Sequence, residues 1–430
     1  MADIDVLIPV RQALSNGMRV MALHMPNTHR QVLQAQVLVG SRFEPQEQNG
    51  ISHFLEHMLY RGTASFPSAH AQSLAFERWG GTLMASTATD TGELSIAVPP
   101  ENFAHVLGPF AEVFTRPLLG EIEVERGIVT EEILETLDDR GACVDPNDLI
   151  RGLVFDGHPL GMPITGTLDH LNRFDEAMLR RHHRDFYTAN GTIVVTAGPL
   201  DPELVLREIE QAFVHVEAGS VPRSQPPPVQ EQRRFKYVPH SSSQTQLRIA
   251  FRGPACGDAG EPAVQVMMRL LDDGMATRLY HRVCDQKGLC YDVSAGFESY
   301  ADAGLIELSA ETGHERIPAV LAELLAIVDE LRSTLAPEEE LTRVKQRYRW
   351  QLDYLLDDVA ESAEYFALEA QSGTERTLAQ RLEQIQSVTA GAVRDAATRW
   401  LKPENLSVIA VGMLNKNHLK RVNEQLERFG

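Results

Sequence analysis

The feature that most limits how this 430-residue chain can fold is a faint internal duplication. In the first half a helix-like run reaches Phe186-Tyr187 and Asn190, and the stretch Thr192-Ile193-Val194-Val195-Thr196-Ala197 then closes on Gly198. In the second half Arg394 to Trp400 leads to Asn405, and Leu406-Ser407-Val408-Ile409-Ala410-Val411 closes on Gly412. A helix that stops at a polar turn and hands over to a β-branched strand ending on glycine is thus spelled twice. Upstream, each half predicts a strand (32–39 and 245–251), a loop and a long helix. After that helix, Phe76-Glu77-Arg78-Trp79-Gly80-Gly81 has its counterpart in His281 to Gly288. Between the halves, Val216 to Arg234 sets Pro226, Pro227 and Pro228 among Ser, Gln and Glu, the composition of an extended linker. The expectation is an α+β chain of two related domains, residues 1–217 and 235–430, joined by a Pro-rich linker over 218–234.

Apolar periodicity predicts helices over 50–61, 122–137, 263–271, 317–331 and 337–356, with further strands at 94–98 and 304–310. In the first helix Ile51, Phe54, Leu55, Met58 and Leu59 form a core-facing stripe. His53, Glu56 and His57 stand at i, i+3 and i+4 on a different face. Two imidazoles one turn apart can aim both ring nitrogens at one cation, and zinc accepts such nitrogens at about 2.0–2.1 Å. The intervening carboxylate can serve the attacking water as a base without being a ligand. A catalytic zinc needs a third protein ligand and an open position. The segment Glu121 to Glu135 offers one: Ile128, Val129, Ile133 and Leu137 predict a buried stripe, and Glu125 and Glu132 lie two turns apart on one face.

Composition removes other classes. With 40 basic against 60 acidic residues, the net charge of −20 repels a phosphate backbone, so no nucleic-acid partner is expected, and basic peptides are favoured over acidic ones. No run of about 18 apolar residues could span a membrane. Cys143, Cys256, Cys284 and Cys290 contain no Cys-x-x-Cys pair and make no disulfide framework. The start Met1-Ala2-Asp3-Ile4-Asp5 has neither a basic nor an apolar leader segment, so a cytoplasmic location is expected, or a periplasmic one if a leader has been removed.

His53-Phe54-Leu55-Glu56-His57 resembles the inverted zinc motif of the pitrilysin/insulysin family, which includes mitochondrial processing peptidase. That family carries a further glutamate ligand downstream in a context like E-R-G-x-x-x-E-E. Here 74 residues lie between His57 and Glu132, and Glu125-Arg126-Gly127 precedes the ligand by seven; Glu131 fits less well. Leu59-Tyr60-Arg61-Gly62-Thr63, Gly80-Gly81, His158-Pro159-Leu160-Gly161 with Pro163-Ile164 and Gly166, Tyr187, Asp273 to Tyr280, and Gly288-Leu289-Cys290-Tyr291 are also similar, so the likeness spans nearly the whole chain. The resemblance implies a processing-peptidase-like metallohydrolase fold, each domain a mainly antiparallel sheet packed with helices. It implies one zinc held by His53, His57 and Glu132, with Glu56 as general base and Glu125 behind the ligands. It also implies a zinc endopeptidase that encloses short or unfolded peptides in a clam-shell chamber, only the first domain carrying metal. Peptide would add as a strand to an edge near Leu83, Met84 and Ala85.

Two departures stand out. The family's Gly-Gly-x-x-Asn-Ala reads Gly80-Gly81-Thr82-Leu83-Met84-Ala85, with Met84 in place of Asn. Active members also pair an arginine with a tyrosine seven residues on, whereas seven before Tyr291 stands Cys284 and Arg282 lies nine before it. The chain supplies about half of the four domains of a full particle. The expected partner is therefore a second subunit, in a homodimer or in a heterodimer whose related subunit lends the clamp. A non-catalytic scaffold or a peptide-binding core subunit of the same fold is the alternative. Arg180-Arg181-His182-His183-Arg184 reads as a solvated helix face, Cys284 and Cys290 as packing residues rather than a redox pair, and Gly80-Gly81 as a turn.

Overall fold

The computed structural model describes residues 7–430; the acidic start that bears on a leader lies outside the described residues. The first sheet is built from β1 (Val10–Ala13), β2 (Arg19–His24), β3 (Gln31–Val37), β4 (Met84–Thr87), β5 (Gly92–Val98) and β6 (Thr192–Gly198), in the spatial order β1-β2-β6-β3-β5-β4. The second contains β7 (Arg234–Pro239), β8 (Thr245–Gly253), β9 (Asp292–Ser299), β10 (Gly304–Thr312) and β11 (Ser407–Gly412), in the order β7-β11-β8-β10-β9. Only β2–β6 and β7–β11 pair in parallel; every other pairing is antiparallel. Apart from the extra edge strand β1, the second sheet repeats the first strand for strand, and the duplication read in the sequence is a duplication of topology.

The repeat reaches single residues. Gln34 pairs with Ser95 and Val195, and Arg248 pairs with Ser309 and Ile409. Each trio maps onto the other at a constant offset of 214 positions (248 − 34, 309 − 95 and 409 − 195). The two closing glycines share a conformation, with φ of 151° at Gly198 and 150° at Gly412. A Cβ would come within 2.2 Å of Gln31 Oε1 at the first and 2.4 Å of Thr245 Oγ1 at the second. Any side chain would push the central strand away from its neighbour, which is why both runs end on glycine.

Chain order and spatial unit differ in one respect. One compact unit comprises residues 1–135, 162–224 and 351–379; the other comprises 136–161, 225–350 and 380–430. A boundary at residue 217 would leave 136–161 with the first half and 351–379 with the second. Instead, helix Pro146–Val154 packs on β8 and β11, where Leu149, Ile150 and Val154 are buried against Ala250, Leu305 and Ile409. Helix Val359–Gln371 packs on β3 and β6. Each begins on an aspartate whose carboxylate accepts two backbone N–H groups, Asp145 from Asn147 and Asp148, and Asp358 from Ala360 and Glu361. Each sheet therefore takes one face helix from the other half of the chain. Pairings at such sequence separation leave no local signature.

The helices fall close to the expected positions, at Ile51–Met58, Ile122–Glu135, Glu261–Leu271, Ile317–Ser333 and Glu338–Leu355. Among the described residues no helix is long and apolar enough to cross a membrane.

Ile150 tests the exchange. Ile150→Ala should cost about 2–4 kcal/mol by creating a cavity, and hydrogen exchange should show β8 and β11 opening faster. Faster opening of β3 and β6 instead would contradict the assignment of this helix to the second sheet.

Candidate metal centre

Helix Ile51–Met58 is fixed at its start by a residue the motif does not contain. Glu44 is 5% exposed. Its carboxylate accepts the backbone N–H of Gly50 at 2.7 Å, that of Ser52 at 2.8 Å and the side-chain amide of Asn49 at 2.9 Å. A buried acid at a helix N-terminus satisfies otherwise orphaned donors and complements the helix dipole. Burial pushes the Glu44 carboxyl up from its ordinary value, and the hydrogen bonds oppose that. Gly50, at φ 97°, lets the chain enter against the 163–166 loop, where a Cβ would lie 2.5 Å from the Thr165 carbonyl oxygen. Ile51, Phe54, Leu55, Met58 and Leu59 are all sealed in the core, as their periodicity predicts.

The flank of this helix differs from expectation. Arg180, Arg181 and Arg184 are exposed, but His182 is 5% exposed and its Nε2 lies 2.9 Å from the Ser52 hydroxyl. His183 Nε2 meets the Phe114 carbonyl oxygen at 2.8 Å. The run is a solvated face only through its arginines. His182 packs helix Glu176–Phe186 onto helix Ile51–Met58, through a partner 130 residues away, and His183 packs it onto helix Phe103–Thr115.

Helix Ile122–Glu135 brings the glutamates. Val129 and Ile133 are buried as expected, whereas Ile128 is 49% exposed and Leu137 lies beyond the helix end. The inward stripe is Glu125, Val129 and Ile133, so a carboxylate occupies a place that apolar periodicity assigns to a hydrophobe. Arg126 clamps the helix by donating to the carbonyls of Leu171 and, at 2.8 Å, Phe174, with its guanidinium over the Phe54 ring.

These two helices converge on one point. His53 Nε2 lies 3.4 Å from Glu132 Oε1, and His57 Nε2 lies 3.4 Å from Glu132 Oε2. One donor atom from each of the three residues falls within 4.8 Å of the others, the one such group of His, Cys, Asp and Glu among the described residues. Glu131 is exposed and stands outside it. Glu125, 7% exposed in its side chain, meets His57 Nδ1 at 2.8 Å, while its other oxygen accepts from the Arg61 guanidinium. Glu56 Oε2 accepts the Thr87 hydroxyl of β4 at 2.9 Å.

The electrostatics follow. Burial alone would lower the His57 pKa, but the carboxylates of Glu125 and Glu132 outweigh it and hold the imidazole at about 9. Hydrogen bonding to His53 and His57 holds Glu132 well below the usual carboxylate range. Burial raises Glu125, yet His57 and Arg61 bring it below its ordinary value. Burial, then the charge of Glu56, pushes the neighbouring Tyr60 up to about 12.

The donor set fits zinc. His57 engages Glu125 through Nδ1, which leaves Nε2 for a cation, and Nε2 of His53 faces the same point. Two imidazoles and one carboxylate are a catalytic-zinc set that leaves a coordination position open.

The remaining expected residues are spread differently. Met84, Ala85 and Thr87 belong to edge strand β4, which pairs only with β5; Met84 is 58% exposed and Leu83 is buried. Met84 thus stands out from the sheet instead of packing beneath it. Tyr291 is 92% exposed, but Arg282 is bound by Glu323 at 2.8 Å and by Glu330. As a clamp arginine it is already occupied. Cys284 and Cys290 place their sulfurs 3.6 Å apart, closer than their spacing suggested, because the chain turns back after the helical segment 280–286, with the Leu289 N–H on the Val283 carbonyl.

Comparison with known proteins decides the family. The model of "Insulinase (Peptidase family M16)" matches residues 19–166, and that of "Peptidase M16 inactive domain" matches residues 173–348. The chain belongs to peptidase family M16. An uncharacterized zinc protease of Streptomyces coelicolor is 27% identical over 424 residues, covering 96% of this chain and 92% of that one. One from Bacillus subtilis is 28% identical over 345 residues, covering 80% and 83%. Among solved structures, a protease from Helicobacter pylori superposes with a TM-score of 0.88 at 20% identity, over 95% of this chain and all of that one. A peptidase M16 inactive domain from Pseudomonas fluorescens gives 0.87 at 18% identity, over 95% and 99%. The M16 fold expected from the sequence is the fold observed.

His182 gives a pH prediction outside the cluster of His53, His57 and Glu132. Burial holds its pKa at about 3, so below pH ~6.5 the unfolded chain binds a proton there that the folded protein refuses. This group's contribution is complete above pH ~6.5 and is lost as pH falls toward 3, at up to about 1.4 kcal/mol per pH unit. Denaturant titrations should show a shallower acid limb for His182→Gln; an unchanged limb would refute it.

Proposed function

We propose that this M16 chain is a zinc endopeptidase for short or unfolded peptides. The observation that carries the reading is the convergence of His53, His57 and Glu132 on one point beside Glu56. Zinc bound there supplies a Lewis acid that polarises the scissile carbonyl and acidifies water. The chain's own residues do the rest. Glu125 keeps His57 in the tautomer that presents Nε2, and Arg61 keeps Glu125 ionised. Thr87 holds one oxygen of Glu56, and its other oxygen is free to take the proton of the attacking water and hand it to the departing amine. The same threonine belongs to β4, so an added peptide strand and the base share one support. The relatives' names as zinc proteases support the reading.

The intact ligand set argues against the scaffold alternative. The bound state of Arg282 beside the bare Tyr291 favours a dimer whose second, related subunit supplies the arginine of the clamp.

Glu56→Gln should retain zinc and lose about 10²–10⁴ in kcat, the usual worth of a general base. Glu132→Gln should lose the zinc itself. Metal analysis and peptide cleavage read both, and activity indifferent to Glu56→Gln would end the peptidase reading. Arg282→Ala should lower Tm by removing a partner of Glu330 and one of the two cations on Glu323, which keeps only Lys287, while KM stays within about twofold. A large rise in KM with an unchanged Tm would restore Arg282 to the clamp.

A further inference from the structure

The internal repeat makes one sheet face a control for the other. On the face covered by the exchanged helix, the second unit carries Glu307 and Arg248 as an ion pair at 3.1 Å. Arg151 of helix Pro146–Val154 binds Glu298 at 3.1 Å on the same sheet. At the offset of 214, Glu307 corresponds to Glu93, Ser309 to Ser95 and Arg248 to Gln34. Counting from the capping aspartates, Arg151 corresponds to Glu364. The first unit has therefore kept Glu93 in the place of Glu307, has no acid on β4 in the place of Glu298, and has lost both cations, one to an amide and one to a carboxylate.

The space has not closed. A groove of about 400 Å³ is lined by Gln34, Met84, Glu93, Ser95 and Glu364, with Arg30 at its rim. Arg30 pairs with Asp358 at 3.4 Å, and among the described residues no ion pair reaches Glu93 or Glu364. Burial first, and then the charge of Glu364, pushes the Glu93 carboxyl up against a hydrogen bond from Ser95. An acid held this way gains from a cation.

The groove opens beside the free edge of β4. Along that strand Ala85 and Thr87 are the more buried, with Thr87 bonded to Glu56, while Met84 and Ser86 point to the groove face. Side chains of an added strand alternate in the same way. A residue on the groove face would sit two strand spacings from β5, about 10 Å, a gap that an extended arginine and a glutamate bridge together. Met84, exposed and flexible, would lie along the methylene stem, which gives the Asn-to-Met departure a physical use.

We propose that Glu93 and Glu364 form a specificity pocket for an arginine or lysine side chain of the peptide, replacing with substrate the guanidinium that the second unit supplies internally. The proposal rests on strand addition in the peptidase reading.

The test is binding rather than cleavage, with zinc-loaded protein carrying Glu56→Gln. Two labelled ten-residue peptides differ only in a central arginine or its neutral isostere citrulline, and fluorescence anisotropy measures both affinities. The arginine peptide should bind about tenfold more tightly, with the preference shrinking at high salt. The ratio should fall toward one when Glu93→Gln and Glu364→Gln are added, and below one with Glu364→Arg, which imports the second unit's cation. A ratio near one before those changes, a ratio that survives them, or no detectable binding of either peptide overturns the pocket. Failure of the unaltered protein to hydrolyse any peptide would overturn the peptidase reading instead, and the binding ratio would stand apart from it.

Discussion

The centre of this protein depends on where one buried charge goes. Glu125 is almost wholly shielded, and a shielded carboxylate is tolerated only if it is paired. It is paired twice, to the Nδ1 of His57 and to the guanidinium of Arg61, both on the metal helix or one turn past it. That double bond sets the rotation of helix Ile122–Glu135 against helix Ile51–Met58. Once the rotation is set, Glu132, two turns on, has one place to be, between His53 and His57. The tautomer of His57 and the position of Glu132 are consequences of one ion-pair arrangement.

Other parts of the unit hold that arrangement still. Glu44 caps helix Ile51–Met58 from within the core, His182 props Ser52 beside His53, and Arg126 ties helix Ile122–Glu135 to the Leu171 and Phe174 carbonyls. These contacts tie helices Ile51–Met58, Ile122–Glu135 and Glu176–Phe186 together through directional polar pairs as well as apolar packing. β4 then brings Thr87 to Glu56, which joins the residue proposed as base to the strand proposed to receive peptide.

The sequence disclosed the parts of this design that are local or periodic. The spacing His53-x-x-Glu56-His57 places three groups on one helix face, and the interval from Glu125 to Glu132 does so on another. The repeated run into Gly198 and Gly412 foretold two sheets of one topology. Hidden were the contacts with no local signal: the traded helices, the Glu44 cap and the buried side of His182. Ile128 and Arg282 take their surroundings from elsewhere in the chain: Glu125 holds a place in the inward stripe beside Val129 and Ile133, and Glu323 and Glu330 hold Arg282. The repeat also carried information that only the paired strands release, since Gln34 and Glu364 gain meaning when set against Arg248 and Arg151.

The most direct test of the account is anomalous diffraction at the zinc edge from crystals of the metal-replete chain. It should give a single strong peak bounded by Nε2 of His53, Nε2 of His57 and a carboxylate oxygen of Glu132, with Glu125 still on Nδ1 of His57. A peak bound elsewhere, or zinc on His57 through Nδ1 with Glu125 displaced, would contradict it.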